Sequence, residues 1–111
     1  MYKPSACFKR FYIAGFGFYD GAQVLGRMKV GDKVKLVPEF DNPYDPEAVA
    51  IYYKGKKIGF VPRDMNTDIS LLCRFGHADV FTVRVVAVQP DAPVHKQVEV
   101  RVDVRDATKK K

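Results

Sequence analysis

Apolar positions in this chain recur mostly at strand spacing, and at helical spacing over one short stretch only. Val98, Val100, Val102 and Val104 alternate with Gln97, Glu99, Arg101 and Asp103, which predicts a half-buried strand. Lys33-Val34-Lys35-Leu36-Val37 alternates in the same way after a turn at Val30-Gly31-Asp32. Residues 48–53 are apolar at both parities, as in a strand inside a sandwich or barrel wall, or under a helix. Lys54-Gly55 then reads as a hairpin connection to a strand over 57–61, stopped by Pro62. Residues 80–88 form a long, almost wholly apolar strand. Residues 11–18 predict an opening strand that runs into a loop, with Gly15 and Gly17 marking close backbone approach or a bulge. Tyr19-Asp20-Gly21 reads as a turn, and residues 22–28 as one or two helical turns broken at Gly26.

The helical stretch begins at Asp64, a carboxylate suited to an N-cap and to the positive end of a helix dipole. Met65, Ile69, Leu72 and Cys73 then face the core, and Ser70 falls on the exposed side. Arg74 suits the last turn and Gly76 the C-terminal cap. Six short strands and one short helix, with a second helical turn at 22–28, favour a barrel, which removes exposed sheet edges. There is no internal repeat and no long linker. The expected organisation is an N-terminal extension at 1–10, one domain at 11–105 and a basic C-terminal tail at 106–111.

Composition narrows the class. A chain of 111 residues that is 47% hydrophobic supports one domain with a real core. The net charge is +6, and about +3 without the terminal run Lys109, Lys110 and Lys111. That fits a polyanionic partner without requiring one. No apolar run reaches membrane-helix length, and residues 1–10 lack the pattern of a signal peptide. A soluble cytoplasmic protein with reduced thiols at Cys7 and Cys73 is expected.

Most catalytic chemistry lacks its parts. His77, His95, Cys7 and Cys73 are isolated, with no Cys-x-x-Cys or paired-histidine spacing for a metal. Ser5 and Ser70 have no neighbouring base. Gly15-Phe16-Gly17-Phe18-Tyr19-Asp20 carries Asp where a dinucleotide loop would carry its third glycine. A nuclease built on Asp41, Asp45 and Glu47 has no lysine in obvious register, and carboxylates at turns are usually structural. No catalytic residue, metal or cofactor is expected.

Asp41-Asn42-Pro43-Tyr44-Asp45-Pro46 is the most distinctive segment. Two prolines fix their own φ and push Asn42 and Asp45 toward extended geometry. Two readings stand. In one the stiff loop holds a ring and a carboxylate for a ligand. In the other it is a rigid turn, with Tyr44 on the core and Asp45 bonding its own backbone.

The segment 41–51 followed by Lys57-Ile58-Gly59-Phe60-Val61-Pro62-Arg63 resembles the HIRAN domain, and Ile13-Ala14-Gly15 with Phe18-Tyr19-Asp20-Gly21 is similar to that family's opening strand. The resemblance covers about residues 11–104. It implies a mainly β fold, an OB-like six-stranded β-barrel with helical insertions. HIRAN domains occur fused to helicase-like ATPases of DNA damage tolerance and as short stand-alone proteins, and the best understood capture the 3′ end of single-stranded DNA. The chain has no room for an ATPase. The implied partners are therefore single-stranded DNA with a free 3′ end and a separate helicase or ATPase, in DNA repair or replication.

The implied nucleic-acid-binding residues are Phe18, Tyr19, Asn42, Tyr44, Asp45 and Arg63. Tyr44 is a stacking platform, and Phe18 its partner by match to the family. Asp45 suits a hydroxyl donor rather than a phosphate, so it would select strand ends. Arg63 would hold a phosphate, and Asn42 would shape the loop. Lys9, Arg10, Lys33, Lys54, Lys56 and Lys57 are further phosphate candidates. Two positions depart from the family's best-known DNA binder: Gly17 stands in place of an arginine, and Phe60 in place of a polar residue, where it adds a stacking surface or, the preferred reading, fills the core. The alternative function is a protein-interaction module that receives a peptide or chain end in the same loop.

Overall fold

The computed structural model describes residues 5–105. In chain order the elements are β1 (Ser5–Tyr12), α1 (Gly21–Val24), β2 (Lys35–Pro38), β3 (Val49–Tyr53), β4 (Lys56–Phe60), α2 (Thr67–Arg74), β5 (Phe81–Val88) and β6 (Val98–Arg105). Short 3-10 turns lie at Phe16–Phe18, Leu25–Arg27, Arg63–Met65, Ala78–Val80 and Val94–Lys96. The protein is mainly β with two helices.

The strands form two antiparallel three-stranded sheets, ordered β1-β6-β5 and β2-β3-β4. Neither sheet closes on itself, so the six-stranded barrel expected from the sequence gives way to two sheets stitched by isolated bridges. Ala14 bridges to Phe60 on one side and Lys33 to Arg84 on the other. Gly59 explains why the first stitch is so close. Its φ is +150°, and a Cβ there would run into the Ala14 carbonyl. The ladder stops at one bridge because Gly15 turns left-handed at φ 69° and the next three residues wind into a 3-10 turn.

Buried side chains from both sheets fill the space between them. Val98, Val100 and Val102 of β6 meet Val83 and Val85 of β5, Phe11 of β1, and Val49, Ile51 and Tyr53 of β3. The clean alternation of β6 and the double-sided burial of β3 are as the sequence predicts. The Lys54-Gly55 hairpin has positive φ at both residues, 49° and 85°, the geometry of a tight primed turn.

Three local expectations are corrected. β1 begins at Ser5 rather than near residue 11. A register shift between Cys7 and Lys9 breaks the period of two that would have announced it. The helix begins at Thr67, with Asp64 in the preceding 3-10 turn. Ser70 is buried beside Ile69 instead of exposed, on a core face shared with Asn66 and Cys73, its hydroxyl without a hydrogen-bond partner among the described residues. Met65 and Cys73 do pack against the core. Gly76 caps the helix at φ +82°, with its own N–H donating to the Cys73 carbonyl at 3.0 Å and that of His77 to Leu72 at 2.8 Å. The basic tail at 106–111 lies outside the described residues. Among the described residues, no helix is long and apolar enough to cross a membrane.

Candidate nucleic-acid interface

The connection from β2 to β3 is held by its own polar side chains. Asn42 Oδ1 accepts the N–H groups of Tyr44 and Asp45 at 2.8 and 3.1 Å, a side-chain mimic of a backbone turn. Its Nδ2 donates to Glu39 Oε1 at 3.2 Å. Asp45 Oδ1 accepts the Glu47 N–H at 2.9 Å. These bonds set the loop's shape, the role expected of Asn42.

A second set of bonds ties the loop to the start of α2. Asn66, only 2% exposed, donates from Nδ2 to Asp45 Oδ2 at 2.9 Å. Arg63 Nε lies 3.7 Å from the same oxygen, and its Nη2 donates to the Tyr44 carbonyl at 3.0 Å. Thr67 Oγ1 donates to Glu47 Oε1 at 2.9 Å. The backbone of Tyr44 is thus bonded at both its N–H and its carbonyl, while its side chain is free and the residue 85% exposed. The two readings of the loop divide between its residues. Asp45 does bond its own backbone, but Tyr44 does not lie on the core.

Beside this loop is a cleft of about 290 Å³. It brings together Tyr19, Asn42, Tyr44, Asp45 and Arg63, with Phe60 as a further aromatic wall. Phe60 is half-buried and lies outside the core cluster, contrary to its reading as core. The reason is the Ala14 bridge, which fixes β4 at its end and leaves the ring edge-on to Tyr19 at 5.6 Å and 64°. Lys57 Nζ sits 4.8 and 4.5 Å from the centroids of these two rings. Glu39 Oε2 holds the same ammonium at 2.7 Å. Burial works against the Lys57 charge, but the hydrogen bond and charge of Glu39 outweigh it and raise its pKa.

Phe18 is placed elsewhere. It is 87% exposed and lines a separate depression with Val94 and His95. Both rings pack close to Gly15: a Cβ there would stand 3.5 Å from the Tyr19 ring and 3.9 Å from Phe18. Tyr19, not Phe18, is the aromatic of this segment that shares the cleft with Tyr44. At Gly17 a Cβ would come within 2.7 Å of Val94 Cγ1, so a larger side chain there would require the Val94 side chain to move. Of the other basic candidates, Lys9 pairs with Asp68 at 3.3 Å and Arg10 with Glu99 at 2.8 Å. Lys33, Lys54 and Lys56 are exposed. Burial pushes the Cys73 thiol up, away from thiolate character.

Sequence reasoning missed Asn66 and misplaced Phe60. Asn66 precedes a helix and reads locally as a cap, yet its side chain makes no cap bond. Its partner lies 21 residues away, where no spacing rule reaches.

A small two-sheet β domain with a rigid aromatic loop over a cleft has the build of a binding module. The chain belongs to the HIRAN domain family, whose model matches residues 8–103. A crystal structure of a protein from Lactobacillus plantarum superposes with a TM-score of 0.72 at 19% identity, covering 90% of this chain and 94% of that one. The crystal structure of the HIRAN domain of human HLTF gives 0.59 at 14% identity, over 93% of this chain and 82% of that one. The NMR structure of the HLTF HIRAN domain gives 0.50 at 13%, over 93% and 81%. At these identities the likeness is one of fold. No curated protein sequence matches the chain.

Proposed function

We propose that this protein binds nucleic acid without catalysing a reaction, and that its cleft captures the 3′ end of single-stranded DNA. The supporting observation is the convergence of Tyr44, Tyr19 and Phe60 with Asp45 and Arg63 in one cleft of a HIRAN-family chain. Tyr44 is pre-positioned by its backbone bonds, so little ordering is needed when a terminal base stacks on it. An ionised carboxylate offers about four acceptor positions. The Glu47 N–H and Asn66 amide occupy two on Asp45, leaving room for a 3′-hydroxyl and none for a phosphate beside the negative charge. Arg63 keeps several guanidinium donors for the next phosphate, since only Nη2 is committed to a backbone oxygen. A role beside a separate helicase or ATPase in DNA repair or replication belongs to the same reading.

The test is to titrate one short oligonucleotide bearing either a 3′-hydroxyl or a 3′-phosphate, read by fluorescence anisotropy. The hydroxyl form binds more tightly; equal binding removes the role given to Asp45. Stacking on an aromatic ring contributes about 1–3 kcal/mol per base, so Tyr44→Ala weakens binding by about five- to 150-fold. Its thermal unfolding is unchanged, because the ring is exposed. Binding weakens steeply with salt through counterion release. A salt-insensitive occupant, such as a peptide end, would move the assignment to protein interaction.

A further inference from the structure

The outer face of the β2-β3-β4 sheet carries a second, lysine-lined groove, and the strand register joins it to the cleft. Side chains two residues apart on a strand share a face. Ala50 pairs with Val37 on one side and Phe60 on the other, at the cleft end of the sheet. Tyr52, about 7 Å further along at the usual strand rise, pairs with Lys35 and Lys57. Beyond it, Lys33, Lys35, Val37, Tyr52 and Lys54 line a groove of about 460 Å³. Lys57 stands between the two hollows, with Glu39 neutralising it. None of Lys33, Lys35 and Lys54 forms an ion pair with a described residue. Asp32, nearby, accepts the Lys29 N–H at 2.9 Å and the Tyr53 hydroxyl at 2.8 Å, and with the charge of Lys54 these bonds hold its pKa down; its single charge leaves the three lysines in excess. The groove is therefore positively charged with a half-buried tyrosine as its floor.

We infer that this face is the track along which the bound DNA strand leaves the cleft, its phosphates passing Lys35, Lys33 and Lys54 over Tyr52. The inference rests on the proposed function and deepens it, because it assigns a path and a direction to the rest of the strand. Charge complementarity and continuity with the cleft select a polyanion over an apolar partner. The first free positive charge on this path is at Lys35, so only strands longer than the cleft reach it.

The experiment compares 3′-hydroxyl thymidylates of about two and about eight nucleotides, on either side of the lower end of the typical single-strand site size, about four. The proteins are wild type and the triple variant Lys33→Ala, Lys35→Ala, Lys54→Asn. Asn is chosen at 54 because that residue has φ 49°, which Asn tolerates. The variant is expected to bind the short strand as wild type does and to bind the long strand at least about tenfold more weakly at low salt. Three lost phosphate contacts also reduce the slope of log K against log salt by about two. Wild-type affinity and slope for the long strand would overturn the track and leave the cleft standing. Equal losses for both lengths would overturn it as well, since the lysines would then act on the cleft itself. If wild type binds neither strand, the cleft reading fails and the track fails with it.

Discussion

The two proline loops of this protein share a spacing and little else. Pro43 and Pro46 stand three residues apart, as do Pro90 and Pro93. The first loop is bonded to Arg63, Asn66 and Thr67 through the Tyr44 carbonyl and the Asp45 and Glu47 carboxylates. In the second, the chain is held by backbone turns, with Ala92 donating to Gln89 at 3.0 Å and Lys96 to Pro93 at 2.8 Å. Its one side-chain bond runs from Gln97 Nε2 to the Pro90 carbonyl at 3.0 Å, within the same segment. Proline narrows what a loop can do, but it does not aim the loop at anything. Aim comes from bonds to another element, and among the described residues only the first loop has them. The first loop holds Tyr44 over a cleft, whereas the second leaves Val94 and His95 beside an exposed Phe18.

The comparison breaks most readily at Asn66. Asn66→Ala removes a buried donor from Asp45 and is expected to destabilise the fold by about 1–3 kcal/mol, the usual consequence of a buried polar group losing its partner. Thermal unfolding by circular dichroism would show a drop of several degrees. DNA affinity falls too, because the loop loses its main tie to α2. Gln97→Ala, the equivalent cut in the second loop, lowers stability by less than about 0.5 kcal/mol, as surface changes generally do. Equal losses for the two variants would erase the distinction between the loops. Asn42→Ala sits between them. It frees two N–H groups that water can partly satisfy, with a loss of about 1 kcal/mol, in the range of a lost helix cap. Tyr44 stacking weakens in the same variant while the core is untouched.

What the sequence reveals of this arrangement depends on the range of each interaction. The valine alternation of β6 and the doubly apolar β3 are local patterns, and both elements stand where that pattern places them. The Asn42 turn is also local: its bonds span two and three residues. The family is legible because its motif is continuous from Asp41 to Ile51 and from Lys57 to Arg63. Asn66 and Phe60 are different. Each owes its place to a tertiary contact, Asn66 to Asp45 and Phe60 to the Ala14 bridge, and neither contact leaves a periodic trace. Ser70 is buried for a third reason. The core face runs through Asn66, Ile69, Ser70 and Cys73 at three- and four-residue spacing, and Met65, in the 3-10 turn before the helix, does not share its phase. The separation of Phe18 from Tyr19 is of the same kind. They are neighbours in sequence, but the 3-10 turn ends at Phe18 and Tyr19 resumes with φ −128°, so Tyr19 lines the cleft and Phe18 a separate depression.

The smallest expected effect tests the prolines themselves. Replacing a proline by alanine at a compatible site mainly restores freedom to the unfolded chain, which lowers stability by about 0.4–1 kcal/mol. That term belongs to the unfolded state and does not depend on what the folded loop touches. Pro46→Ala and Pro93→Ala should therefore lose similar amounts in chemical denaturation, although one loop is clamped and the other is not. DNA affinity in Pro46→Ala should stay within about threefold of wild type, less than 1 kcal/mol, because Asn42, Asn66 and Arg63 still hold Tyr44 in place. A loss at Pro46 comparable to that of Asn66→Ala would reverse the order of causes. The proline would then be setting the loop, with the polar bonds merely following it, and the contrast with the second loop would have to be sought in Tyr44 alone.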